Sequence, residues 1–360
     1  TPEDCAALQA AAASAGVALG VNQNFVFHPA QTKLQAAIRA NRIGPVRHVS
    51  VVYNMPLRQL DAGQLGHWMF AEPRNLLLEQ AVHPLSQIED LLGPIEAISA
   101  QPQPPKSYGD GIELITGWLV SLRCERGTAQ MQFALGQSHP VWTVTAIGDD
   151  GALEADVINC RLSSSTPSRW LEFGDTLQSG FERAGGLIGG SVGGAIGYLA
   201  GMSGLAPRGD AFYKCMHGSL SAFYRQLGQT ALPRGEMGGR LVQVCCDIAA
   251  LVDGPKARPR PETPADDAMF DVVLLGGTGF IGRHTLAALR AAGKRVAVFA
   301  RSVENLPAAY SDPDVGVFRG SIGDSQAVAD VVRRAPVVVN LAHGGGGADA
   351  AAIEAAKIGR

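Results

Sequence analysis

The chain has 360 residues, enough for two or three domains at the usual ~100–200 residues each. Its 46% hydrophobic and 18% charged content is that of a globular protein and excludes a disordered one. Thirty basic and 33 acidic side chains leave a net charge of −3, which supplies no general pull toward nucleic acid or an anionic membrane.

Residues 3–15 (EDCAALQAAAASA) have strong helix propensity behind Thr1 as a cap, and Gly16 stops them. Residues 17–21 (VALGV) read as a short buried strand, and a second helix starts at Pro29 and runs to about Ala40, with His28 before it in a structural role. The runs 47–53, 114–124, 128–135, 142–147 and 152–162 alternate as half-buried strands do. Gly148-Asp149-Asp150-Gly151 is a hairpin turn signal. Antiparallel strands flanked by helices predict an α+β domain with an open, mostly antiparallel sheet over residues 1–252.

Glycine is the compositional outlier, at 44 residues or about 12% against a typical ~7%. Part of the excess lies in residues 184–207, an uncharged stretch rich in glycine. Helical glycines cost ~1 kcal/mol each relative to alanine, so the sequence favours a mobile loop or a buried helical hairpin there over an oligomer or membrane contact. Residues 253–268 (DGPKARPRPETPADDA) hold four prolines and read as a linker.

Beyond the linker, residues 269–360 begin a parallel-sheet domain. Asp271–Leu275 is a buried strand, Gly276-x-x-Gly279-x-x-Gly282 follows at once, and a helix over 283–292 leads to a second buried strand, 295–300. This strand–glycine turn–helix–strand unit is the dinucleotide-binding fingerprint: its glycines permit a tight turn, close approach to a pyrophosphate, and close helix packing. Gly276, Thr278, Gly279, Phe280, Ile281 and Gly282 are therefore cofactor-site candidates. The second strand ends Ala300-Arg301-Ser302 with no acid in the ribose-binding place, so Arg301, with Ser302, is expected to favour NADP(H) over NAD(H).

Those motifs, with RGSIGD (319–324) and VVVNLAHG (337–344), resemble the N-terminal Rossmann half of extended short-chain dehydrogenases, the NAD-dependent epimerase/dehydratase group. The resemblance implies that Ser321 lies where that group has an aspartate near the adenine, and that Leu341, Ala342 and His343 line the ribose side. It also implies a catalytic Ser and YxxxK beyond Arg360.

VNQNFVFHP (21–29), the IGPVRHVSV segment, EQAVHPLSQIEDLLG (79–93) and VTAIGDDGALEAD (144–156) resemble the C-terminal domain of the Gfo/Idh/MocA oxidoreductases. Residues 1–24 would then be the remnant of that family's own Rossmann domain, and its lysine motif would precede Thr1. The family's Asp-x-x-x-His pair falls on Glu79 and His83. Four residues apart on a helix they share a face, and a histidine oriented by a carboxylate suits removal of a hydroxyl proton. Trp68 and Asn75 are candidates for the border of that site.

Together the resemblances imply part of a bifunctional NAD(P)-dependent oxidoreductase for sugars or nucleotide sugars, an internal piece expected to bind NADP(H) weakly and turn over little. The alternative is a non-catalytic dinucleotide-binding scaffold. A homo-oligomer is expected through the open sheet, with no nucleic acid and no metal. Six cysteines without CxxC spacing and the lack of a signal peptide point to reduced thiols in the cytoplasm.

Overall fold

The computed structural model describes residues 1–63, 65–108, 112–166, 172–204, 210–227, 235–251, 261, 264–265, 267–301, 303 and 306–342. The chain divides into two compact units. The first comprises Thr1–Pro56, Leu76–Pro104 and Thr116–Asp253; the second comprises Leu57–Asn75, Pro105–Ile115 and the described residues from Gly254 onward. Most of the proline-rich stretch expected as a linker lies outside the described residues.

In the first unit, α1 (Pro2–Ala15) begins with a capping box between Thr1 and Asp4 and stops at Gly16 in the left-handed conformation. The strand expected over 17–21 does not form. Val17 and Val21 are 54% and 50% exposed, so the run has no apolar face to bury against a neighbouring strand. Helix α2 (Pro29–Arg39) is capped by His28, whose Nδ1 accepts from the backbone N–H of Ala30. Strand β1 (Val46–Met55) follows. The chain then passes through Leu57–Asn75 of the second unit, with the single-turn helices α3 (Arg58–Asp61) and α4 (Pro73–Leu76), before a π-helical turn over Leu77–Ala81 leads into α5 (Val82–Leu92).

Strand β2 (Ile95–Pro102) is followed in the chain by two short strands of the second unit, β3 (Lys106–Ser107) and β4 (Glu113–Leu114), which among the described residues pair only with each other. The remaining strands of the first unit are β5 (Gly117–Cys124), β6 (Gly127–Leu135), β7 (Val141–Gly148), β8 (Gly151–Asp156) and β9 (Arg161–Ser165). The seven-stranded sheet runs β2-β5-β6-β1-β7-β8-β9, antiparallel throughout except for the central pair β1 and β6.

Alternation fixes which face is buried. Trp118, Val120, Met131, Phe133, Val51, Tyr53 and Val144 point into the core, while Leu119 and Ile147 on neighbouring positions are 39% and 42% exposed. Tyr53 and Phe133 stack across the parallel pair with ring centroids 5.3 Å apart and planes 6° from parallel. Helix α5 buries Leu85, Ile88 and Leu92, and its Glu89 carboxylate is buried against Arg240, whose Nε donates at 2.8 Å.

The glycine-rich segment is a helix, α6 (Glu172–Met202), and not the loop or buried hairpin expected. Two of its glycines have a packing reason: a Cβ at Gly186 would lie 2.6 Å from the Leu162 carbonyl oxygen, and one at Gly190 would lie 2.7 Å from the Arg161 side chain. The outward face carries Leu177, Phe181, Ile188, Val192, Ile196, Leu199 and Met202, all exposed. Among the described residues no helix is long and apolar enough to cross a membrane. Helices α7 (Ala211–Gln226) and α8 (Glu236–Ala250) complete the unit. All six cysteines are free.

The second unit is built on β10 (Val272–Leu275), α9 (Phe280–Ala291), β11 (Val296–Ala300), β12 (Val315–Arg319), α10 (Ser325–Val332) and β13 (Val337–Asn340). Its sheet is parallel in the order β12-β11-β10-β13. Both faces are covered, Val273, Leu275 and Phe299 packing with Val328 and Val332 on one side and Leu274 and Val298 packing with Leu286 on the other.

The stacked pair at the centre of the large sheet sets a stability expectation. Phe133→Ala should cost about 3–5 kcal/mol in urea unfolding, since the ring is fully buried and its neighbours Tyr53 and Trp118 cannot close the gap.

Candidate functional site

In the second unit, β10 ends at Leu275 and the chain turns through glycines into α9. Gly276 has φ +77°, a conformation that disfavours any side chain, and a Cβ there would lie 2.8 Å from the Ala342 nitrogen. A Cβ at Gly282 would lie 2.5 Å and 2.6 Å from the carbonyl oxygens of Gly277 and Gly276, so only glycine lets α9 start this close to the turn. Gly279 is the N-cap and offers no side-chain acceptor, which leaves the first-turn N–H groups of α9 without a cap. Uncapped N–H groups at the positive end of a helix dipole suit a pyrophosphate. The residues present therefore fit a dinucleotide.

The turn is held from outside by Tyr310, whose hydroxyl donates to the Gly277 carbonyl at 2.9 Å. Burial pushes the Tyr310 pKa up to about 12, so it stays a donor. Phe280 and Ile281 project exposed from the first turn. Thr278 is partly buried within the glycine turn. Leu341 and Ala342 leave β13 beside the turn: the Leu341 N–H donates to Leu275 at 2.8 Å, and the Ala342 N–H donates to the Asn340 side chain at 3.1 Å. Ser321 is exposed after β12 and accepts from the Gly323 N–H at 3.3 Å. Arg301 is exposed just past β11. Ser302 and His343 lie outside the described residues.

In the first unit, Glu79 lies in the π-helical turn and His83 in the first turn of α5. No hydrogen bond joins the two among the described residues. His83 instead packs on Phe25, with ring centroids 4.8 Å apart, and Phe25 packs on Trp142 at 4.4 Å. Trp142 meets Tyr53 edge-on at 4.8 Å and donates its indole N–H to Gln87 at 2.9 Å. Tyr53 donates its hydroxyl to Gln80 at 2.7 Å. Burial, with the negative charge of Glu79 adding to it, holds the Tyr53 hydroxyl far above its ordinary pKa.

His83 is thus set in an aromatic layer, and burial lowers its pKa to about 4. It is neutral at physiological pH. Its Nδ1 is buried without a hydrogen-bond partner. Ser86 donates to the His83 carbonyl at 2.6 Å and fixes the backbone there. Trp68 and Asn75, read as borders of this site, belong to the second unit, where the Asn75 side chain donates to the Trp68 carbonyl at 2.8 Å. Among the described residues no group of three His, Cys, Asp or Glu side chains is arranged to hold a metal ion.

Sequence reasoning missed Tyr53, Gln80, Phe25 and Trp142, whose roles arise from contacts across the sheet, and Tyr310, which reaches the glycine turn from 33 residues away. Arg283 was also missed, although it stands directly after the third glycine.

Residues 272–358 match the NAD dependent epimerase/dehydratase family, and residues 32–154 match the GFO/IDH/MocA C-terminal domain. Both resemblances read from the motifs are thereby shown. Among solved structures, the chain is similar to an NAD binding oxidoreductase from Klebsiella pneumoniae, at 14% identity and a TM-score of 0.50, over 70% of this chain and 68% of that one. It is also similar to an inositol dehydrogenase homolog from Azotobacter vinelandii complexed with NAD+, at 15% identity and a TM-score of 0.47, over 70% and 67% of the two chains. A third is an oxidoreductase from Agrobacterium radiobacter in complex with NAD+, L-tartaric acid and magnesium, at 14% identity and a TM-score of 0.48, over 69% and 68%. No curated protein sequence matches the chain significantly.

The expected preference for NADP(H) is corrected by the Azotobacter vinelandii and Agrobacterium radiobacter structures, whose dinucleotide is NAD+. Arg301, on which that expectation rested, is exposed at a strand end.

His83 and His28 both have pKa values lowered by burial to about 4 from an ordinary 6.5. Between those values the unfolded chain binds protons that the folded chain does not. Stability is therefore full above about pH 6.5 and is lost as pH falls toward 4. His83→Phe keeps the ring packing against Phe25 and removes one titration. Denaturant melts at pH 7 and pH 4.5 should show a smaller acid loss in this variant than in wild type, by roughly 1–2 kcal/mol.

Proposed function

We propose that the chain is part of an NAD-dependent oxidoreductase acting on sugars or nucleotide sugars. The observation that carries the reading is the uncapped, glycine-built start of α9 directly behind a buried parallel strand, with the match of that region to the epimerase/dehydratase family in support. In this reading the N–H groups of Phe280, Ile281 and Gly282 bind the pyrophosphate, Gly276, Thr278 and Gly279 give it room, and Leu341 and Ala342 bound the ribose side, with Ser321 toward the adenine.

The match of residues 32–154 to the GFO/IDH/MocA C-terminal domain supports a substrate-binding role for the first unit in this reading. Oxidation of a carbinol sends the hydroxyl proton to a base, and a bound nicotinamide would supply the acceptor for the hydride. His83, neutral through burial, accepts the hydroxyl proton at Nε2. Glu79, one helical turn before it, supplies the negative charge that favours the protonated ring. The aromatic layer of Phe25, Trp142 and Tyr53 holds the imidazole in place and keeps water from its inner edge. In the same reading the exposed face of the large sheet, with Leu119 and Ile147, is where a second copy associates, and the protein works in the cytoplasm.

The test is a fluorescence titration with NADH on wild type and Gly279→Ala. At Gly279 the added methyl would meet only the Gly276 carbonyl oxygen at 3.4 Å, so the fold tolerates it while the pyrophosphate loses its approach. Binding should weaken about tenfold or more. Equal binding by the two proteins would count against the assignment. Association is read separately by light scattering: Ile147→Glu should shift a wild-type dimer toward monomer.

A further inference from the structure

Arg283 is the fourth residue of α9, counted from the N-cap Gly279. A helical side chain leans back toward the N-terminus, and this one does: its guanidinium carbon sits 5.1 Å from the centre of the Phe280 ring, over the first turn. A cation there opposes the helix dipole, whose positive end already faces the same space. No acidic residue lies in the first turn of α9, and among the described residues no carboxylate pairs with Arg283. Its Nε is buried without a hydrogen-bond partner. An arginine held against the dipole, with a donor unsatisfied, is explained by an anion in front of the helix.

Among the described residues, the one hydrogen bond from the Arg283 side chain goes to a distant part of the chain. Its Nη1 donates to the Gly63 carbonyl at 3.1 Å. Gly63 has φ +60°, and a Cβ there would lie 2.9 Å from the same guanidinium nitrogen, so glycine is needed both for the turn and for the close approach. Gly63 belongs to Leu57–Asn75, the excursion between β1 and α5 that forms part of the second compact unit together with β10 and α9. Leu57, Leu60, Leu65, Met69 and Phe70 are all buried, so the segment is a packed element with its own apolar side.

We propose that Arg283 is a ligand of the dinucleotide's pyrophosphate and that its bond to Gly63 fixes Leu57–Asn75 as the cover of that site. The inference rests on the dinucleotide reading above. Arg283 supplies charge-assisted donors to the diphosphate beside the first-turn N–H groups, and the remaining bond to Gly63 couples an ordered cover to an occupied site.

The experiment combines an NADH titration with limited tryptic digestion of the whole chain, followed at Arg58 and Arg74, for wild type, Arg283→Gln and Arg283→Lys. In wild type, NADH should slow cleavage at both arginines. Arg283→Gln should bind NADH about tenfold or more weakly, with less dependence on salt, and its cleavage should be faster and indifferent to NADH. Arg283→Lys, which keeps the charge, should retain most of the affinity, and it carries the test if the glutamine variant does not fold. If wild type binds NADH and Arg283→Gln binds it equally, or if NADH leaves the cleavage rate of wild type unchanged, the inference is overturned while the dinucleotide reading stands. If wild type does not bind NADH, both fall.

Discussion

The missing Cβ at Gly282 is the constraint on which the second unit depends. With any larger residue, the start of α9 would collide with the carbonyl oxygens of Gly276 and Gly277, and helix and strand would have to separate. Glycine lets the helix begin against the strand end, which aims the first-turn N–H groups at the space in front of β10. Tyr310 then ties the turn through the Gly277 carbonyl. The parallel sheet supplies rigidity behind it, since β10 lies between β11 and β13 and is buried on both faces. An anion site made this way needs no charged side chain to exist, which is why a lone arginine at the same place stands out.

The first unit creates its candidate chemistry by the opposite means. There the backbone is conventional and the side-chain environment sets the properties. Burial among Phe25 and its aromatic neighbours makes His83 neutral, and burial beside Glu79 holds Tyr53 protonated. Trp142 and Tyr53 are each locked by a glutamine, so the layer has little rotamer freedom left. Burial thus leaves a neutral imidazole in a fixed aromatic frame.

Helix α6 shows how packing overrides propensity. Its glycines each disfavour a helix, and by that measure the segment reads as a loop. The helix is paid back where Gly186 and Gly190 allow its backbone to lie on β9 and where Glu182 accepts from Ser164 at 3.0 Å and from Gln178 at 3.0 Å. Those contacts end at Gly190. At Gly193, Gly194 and Gly197 an added Cβ would meet nothing, so beyond Gly190 these glycines have no packing reason among the described residues.

The same distinction decides what the sequence disclosed. Features confined to one element were legible. The alternation of β5 and β6 and the spacing of Gly276, Gly279 and Gly282 each carry their meaning within a dozen residues, and the fold class and both family resemblances follow from such signals. The strand expected at 17–21 failed because a strand exists only with a neighbour, and nothing local to VALGV says whether one is present. Arg301 misled for a related reason: a phosphate pocket is a property of several segments together, and one residue type at a strand end does not specify it. The contacts that complete the candidate sites span the chain, from Tyr53 to Gln80, from Trp142 to Gln87, and over 220 residues from Arg283 to Gly63. A glycine and an arginine that far apart have no pattern to read until the fold brings them together. The long-range pair is therefore where the structure adds most to the sequence, because it makes an ordinary loop between β1 and α5 part of the second compact unit.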